Sequence, residues 1–353
     1  MISPFDHPLL AGLLGDAEMA ALLGIEAELA AMLRFEAALA EAEAELGLVP
    51  AESGSAIAAT LAGFRPDIEA LGEGTARDGV VVPELVRQIR QAVGEPHSNH
   101  VHFGATSQDV VDTAMVLRAG ACLDLLEARL AALASDFGDL ARRLGDRPLT
   151  GRTRMQAAIP IRAGDRIESW RAPILRHLER LQAVRSSLAV VQFGGAAGTL
   201  DGFGDKGPAL RSALAARLGL ADAPQWQSQR DRFADLAGWL SLVSGTLGKF
   251  GQDVALMAQA GEVELAGGGS SSAMEHKRNP VDAEMLVTLA RYNAVQLSGM
   301  HHALVHEQER SGAAWTLEWM ILPQMLMSAG ASTRLAITLI GRIEAMGSQP
   351  PAS

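Results

Sequence analysis

Cysteine is almost absent from the 353 residues: Cys122 stands alone, so no intrachain disulfide can form and a reducing, cytoplasmic setting is expected. Aromatic side chains are also scarce, at 4% against 48% hydrophobic residues overall, and the apolar content is mostly alanine and leucine. That balance favours helix over sheet, and no alternating run long enough for a convincing strand occurs. No uninterrupted apolar run approaches the ~20 residues that span a bilayer. The opening MISPFDHPLL lacks the basic start and apolar core of a signal peptide. Basic charge is outnumbered, 30 Lys and Arg against 41 Asp and Glu, for a net charge of −11. This argues against a general nucleic-acid binder or a binder of anionic membranes. An anionic substrate would need a locally basic pocket.

Helical periodicity fills the remainder. Met19, Leu22, Leu29, Leu33, Ala37 and Ala40 mark one helical face that ends near Gly47 and Pro50. A second pattern follows Ser107 and Asp109 and runs to Gly145; others cover about 163–191, 229–264, 280–309 and 314–343. Several exceed 25 residues, or roughly 40 Å at ~1.5 Å per residue. The expectation is an all-α protein built as a long-helix bundle that continues across subunits. Its units would be an N-terminal helical domain over 1–105, a central bundle over 106–343 and a frayed tail over 344–353.

Chemistry gathers where the helical signal breaks. Residues 267–280 read GGGSSSAMEHKRNP. Three hydroxyls and two cations lie between a glycine run, which frees a loop to fold over a ligand, and Pro280, which suits a first helical turn behind an Asn279 cap. Such a segment either binds an anion at a helix N-terminus or is a flexible connection. At 102–109, Thr106 and Ser107 either cap the next helix or hold a carboxylate, and His102 either donates to the same anion or satisfies buried backbone. The spacing of His97, His100 and His102 matches no metal motif, so no metal is expected. The glycines of 193–208 follow no predicted strand, which argues against a nucleotide loop.

Three blocks fit a known pattern. Ser271, Ser272, Met274, Lys277, Asn279 and Pro280 fall on G-S-S-x-M-P-x-K-x-N-P, with Ser270 at the first Gly and Glu275 at the first Pro. His102, Gly104, Thr106, Ser107 and Asp109 fall on H-x-G-x-T-S-x-D. Gly151, Arg152, Thr153, Gln156 and Pro160 fall on G-R-T-H-x-Q-x-x-x-P, with Arg154 at the His. Over about residues 90 to 325 the chain resembles the fumarase/aspartase superfamily. Gln229-Arg230-Asp231-Arg232, the run from His306 to Arg310, and Trp315, Glu318, Trp319 and Pro323 resemble its carboxymuconate-lactonizing branch. Relatives carry a further C-terminal helical domain, which a chain ending at Ser353 would hold only in truncated form.

The resemblance implies a homotetramer with active sites shared between subunits, a small polycarboxylate substrate, and no cofactor or metal. It further implies closure of 3-carboxy-cis,cis-muconate to a lactone in aromatic-compound degradation. Ser271 would protonate carbon, and Lys277 and Asn279 would hold the enediolate. His102, Thr106, Ser107, Thr153, Arg154, Gln156, Ser272, Met274 and Arg310 would bind substrate. Arg154 is the informative departure. The superfamily's His there helps protonate a leaving group, whereas a carboxylate, with a pKa around 4, leaves unprotonated. An Arg can instead bind an extra carboxylate in bidentate fashion or form a structural ion pair. The alternatives are a sulfonated muconate as substrate, a fumarate-releasing lyase of the adenylosuccinate or argininosuccinate type, and a non-catalytic homologue.

Overall fold

The computed structural model describes residues 3–270, Met274 and residues 278–347. The described residues are mainly helical, with short paired strands between the helices. Its N-terminal part comprises α1 (Ala11–Leu14), α2 (Ala17–Leu23), α3 (Ile25–Glu45), α4 (Ala51–Leu61), α5 (Ile68–Asp78) and α6 (Val82–Val93). The single helix read across 19–46 is therefore two: Gly24, in extended conformation, ends α2 and starts α3. Asp16 caps α2 by accepting from the Met19 N–H (2.8 Å). Arg129 in turn clamps Asp16 (2.6 Å) and donates to the Gly330 carbonyl (3.1 Å), tying this corner to the bundle.

The bundle is made of α7 (Ser107–Leu144), α8 (Ala163–Leu188), α10 (Asp231–Gln259), α11 (Val281–His302) and α12 (Gly312–Gly341), with the shorter α9 (Gly207–Leu218) between α8 and α10. Leucines at helical spacing on α7, including Leu123, Leu126, Leu130 and Leu133, are fully buried. In the same core Phe250 meets both Phe137 and Trp170 edge-on, while those two rings are tilted to each other. A second core joins α3, α6 and α9 to the first turns of α7.

The strands correct the helix-only expectation for the connections. Within the segment 145–160, read as loop, β1 (Pro148–Thr153) pairs antiparallel with β2 (Gln156–Arg162). β3 (Val263–Leu265) pairs with β6 (Ile343–Met346), so residues 344–346, read from sequence as the start of a loose tail, are held. The rest of that tail, 348–353, lies outside the described residues. β4 (Gly269–Ser270) pairs with β5 (Arg278–Asn279) and closes the neck of the serine-rich segment.

Candidate active site

The N-terminal end of α7 is tightly organised. Thr106 and Asp109 form a reciprocal capping box, the Asp109 carboxylate accepting from the Thr106 N–H (3.0 Å). Capping is thus one role of Thr106, and Ser107 begins the helix. Asp109 is fully buried and also accepts from Gln192 and from the backbone N–H groups of Gly194 (2.9 Å) and Gly195 (3.0 Å). Burial pushes its carboxyl up to about 6 against the pull of those donors. The glycines at 194 and 195 serve this carboxylate. Gly104, at φ 66°, packs so closely on Phe203 that a Cβ would sit 2.2 Å from the ring.

His102 has left-handed backbone (φ 59°), and its Nδ1 lies 2.6 Å from Glu36 Oε1 on α3. It therefore pairs with a side chain rather than with buried backbone. Burial disfavours the imidazolium, but the Glu36 charge and hydrogen bond outweigh that, and the pKa is raised. Glu36 was not among the residues singled out from sequence. Its signal was available: Glu36 and Glu43 lie seven apart on the buried stripe of α3 that carries Leu29, Met32 and Leu39.

Arg310 reaches the same end from the segment between α11 and α12. Its Nε donates to Gln108 Oε1 (3.0 Å) and its Nη2 to the Ala196 carbonyl (3.2 Å). Behind Gln108 lies a buried polar lattice. Arg230 donates to both Asp112 (2.6 Å) and Glu318 (2.9 Å through Nε), and stacks on Trp226 and Phe233. Trp315 donates its indole N–H to Asp112 (2.9 Å). Of the Gln-Arg-Asp-Arg run only Arg230 is buried, with Gln229 and Asp231 exposed, and buried Trp315 lies edge-on to the half-buried Trp319.

The remaining predicted residues sit elsewhere. Thr153, Arg154, Met155 and Gln156 are exposed at the tip of the β1–β2 hairpin. Arg154 (φ 48°) and Met155 (φ 67°) form its two-residue turn, both left-handed without a glycine. A cavity of about 650 Å³ lies beside them, lined by Arg152, Arg154, Arg166 and Lys249 with Asp253 and Glu262 as the acidic members. Glu262 takes up Arg152 (2.6 Å) and Asp253 takes up Lys249, so Arg154 and Arg166 carry the cavity's excess positive charge, which suits an anion.

The serine-rich segment opens near this same end. Ser271, Ser272, Glu275 and Lys277 lie outside the described residues, and Met274 is exposed. Asn279, expected as a helix cap, instead sits in β5 opposite Gly269; Pro280 precedes α11, with no side-chain cap. The glycines here are fitted as well as free. Gly267 and Gly268 have φ of 75° and 131°, and a Cβ on Gly269 would lie 2.6 Å from Val281.

The candidate residues therefore fall into two clusters, one at each end of α7. Thirty-eight helical residues separate them by ~57 Å. Among the described residues no group of three or more His, Cys, Asp or Glu is placed to hold a metal ion, and no helix is long and apolar enough to cross a membrane.

With this geometry the chain is similar to known enzymes. The lyase family's profile matches residues 20–295. A 3-carboxy-cis,cis-muconate cycloisomerase of Pseudomonas aeruginosa is 42% identical over 315 residues, covering 87% of this chain and 69% of the relative. Among solved structures, the 3-carboxy-cis,cis-muconate lactonizing enzyme of Pseudomonas putida superposes with a TM-score of 0.91 at 38% identity, covering 96% of this chain and 77% of that one. A fumarate lyase from Mesorhizobium sp. BNC1 gives 0.88 at 32%, covering 94% and 76%. The chain belongs to this lyase family, within the fumarase/aspartase superfamily, and shares its long-helix bundle.

Proposed function

We propose that the chain is an isomerase that converts 3-carboxy-cis,cis-muconate to 4-carboxymuconolactone in protocatechuate degradation. The observation that carries the reading is the 42% identity to a cycloisomerase across 87% of the chain. Arg154 in place of the superfamily's His supports it chemically. Lactone closure is, in reverse, a β-elimination whose leaving group is a carboxylate, and this departs as an anion without a proton donor.

In the forward direction one terminal carboxylate oxygen of the substrate adds to the carbon bearing the extra carboxyl group, forming the C–O bond. The electron pair displaced from the double bond moves onto the neighbouring carbon and into its carboxylate, giving an enediolate. Stabilising that charge is the demanding step, and donors fixed in advance are the economical means. Lys277 and Asn279 fill this role. Ser271 delivers the proton to carbon, which completes the lactone. Arg154, Thr153 and Gln156 from the hairpin bind the further carboxylates. So do Thr106, Ser107, His102 and Arg310 at the other end of α7, with Ser272 and Met274 completing the loop side. The raised pKa of His102 supports a cationic imidazole facing an anion.

Residues ~57 Å apart along one helix can meet one small substrate only if different copies of the chain supply them. The reading thus includes a homo-oligomer, a tetramer as in the superfamily, with shared sites. A cytoplasmic location belongs to the same proposal, supported by the unpaired Cys122, which is buried.

The test is the ultraviolet absorbance of 3-carboxy-cis,cis-muconate with the protein and with Ser271→Ala. Loss of the diene signal with wild type alone is expected. Loss with both would remove Ser271 as proton donor. Loss with neither would move the activity to a sulfonated muconate or to fumarate release, each assayed the same way, or leave a non-catalytic homologue.

A further inference from the structure

Gln108 is fully buried in the first turn of α7, beneath an exposed arginine. Its amide nitrogen has two acceptors, Asp112 Oδ2 at 3.1 Å and the Gln227 carbonyl at 2.7 Å. Both amide hydrogens are thereby committed, which fixes the side chain's orientation and turns Oε1 outward. Arg310 Nε lies 3.0 Å from that oxygen. With Nη2 on the Ala196 carbonyl, the guanidinium is pinned along one side, and Nη1 has no hydrogen bond among the described residues.

The support behind Gln108 is itself held by several partners. Asp112 accepts from Arg230 through both oxygens and from Trp315. Arg230 is held from its other side by Glu318. Two buried carboxylates around one buried guanidinium leave this lattice with a formal deficit of positive charge, which favours a cation at its mouth.

We infer that Gln108 is a positioning residue: it aims Arg310 at a substrate carboxylate, with its own amide locked by Asp112 and the Gln227 carbonyl. The inference rests on the reading that Arg310 binds substrate. A long, exposed arginine otherwise loses side-chain freedom on binding, and fixing it beforehand removes that cost. Gln108 touches no substrate, so its effect must pass through Arg310.

That dependence is what the experiment reads. KM and kcat for 3-carboxy-cis,cis-muconate are measured for wild type, Gln108→Met, Arg310→Ala and the double variant. Methionine keeps the volume and removes both hydrogen-bonding functions. Gln108→Met is expected to raise KM roughly 10-fold with kcat within about 2-fold, and to change KM by less than about 2-fold once Arg310 is alanine. Equal factors in both backgrounds would show that Gln108 only supports the fold, and would overturn the inference. So would an Arg310→Ala protein with unchanged KM. Should Gln108→Met fail to fold, Gln108→Asn keeps an amide one methylene too short to reach Arg310, and the same comparison applies. Failure of the functional reading shows separately, as no turnover by wild type; the inference then falls with it.

Discussion

At the N-terminal end of α7 the charged and polar side chains are sunk into the protein: Asp109, Asp112, Arg230 and Glu318 are all buried, and each has partners from distant parts of the sequence. At the C-terminal end the hairpin that carries Thr153, Arg154 and Gln156 is exposed along almost its whole length, with Met155 and Ile159 facing outward. The two ends offer the same kinds of residue, arginines and hydroxyls, under different constraints. In the first, tertiary structure fixes the side chains and the chain alone sets their geometry. In the second, the backbone is fixed by strand pairing and a left-handed turn, while the side chains await whatever binds them. Polar groups in a core must be satisfied where they stand. Polar groups on a projecting hairpin need not be, and so are free to serve another copy of the chain.

The comparison breaks most visibly at Arg230. Arg230→Met would leave Asp112 and Glu318 buried without their cation, and is expected to lower the unfolding free energy by about 3–5 kcal/mol, read as a drop in the denaturant midpoint. A change below about 1 kcal/mol would mean that the lattice re-forms around other donors. At the opposite end, Arg154→Ala is expected to leave stability within about 0.5 kcal/mol. It should reduce kcat/KM for the muconate roughly 10- to 100-fold, the usual scale of a lost charged hydrogen bond. If stability falls as well, the hairpin is a structural element and the contrast between the ends fails.

The smallest effect separates burial from partnering within the constrained end. Both carboxylate oxygens of Glu43 are buried and have no hydrogen-bond partner among the described residues. Burial, with the Glu36 charge nearby, pushes this carboxyl up to about 9. An unfolded glutamate ionises near 4.5, so the folded state holds a proton that the unfolded state releases between those pH values. Stability therefore falls as pH rises through that window. Glu43→Gln removes the dependence: its Tm should match wild type near pH 4.5 and exceed it by roughly 2–5 °C at pH 8. A constant difference across pH would mean that Glu43 ionises freely.

Much of this was legible in the residues. The helices α7, α8, α10 and α12 start and stop close to where periodicity, caps and glycines place them, because a long apolar stripe and a capping residue are local signals. The break at Gly24 was missed because the apolar spacing continues across it. The β1–β2 hairpin was missed because Arg154 and Met155 occupy a turn that glycine or asparagine usually marks. Asn279 looked like a cap in sequence, but pairing with Gly269 took it into a strand. Glu36 and Gln108 went unremarked because their partners, His102 and Arg310, lie 66 and 202 residues away.

The sequence by itself determined the helical architecture, the lyase family and the motif blocks, since periodicity and motif chemistry are written in neighbouring positions. Only the tertiary structure decided how those residues are distributed. A single helix of 38 residues holds two of the motif blocks at opposite ends, and a buried lattice around Arg230 lies behind the Gln108 that meets Arg310. Distances of that kind arise from packing between remote segments, and no local pattern encodes them.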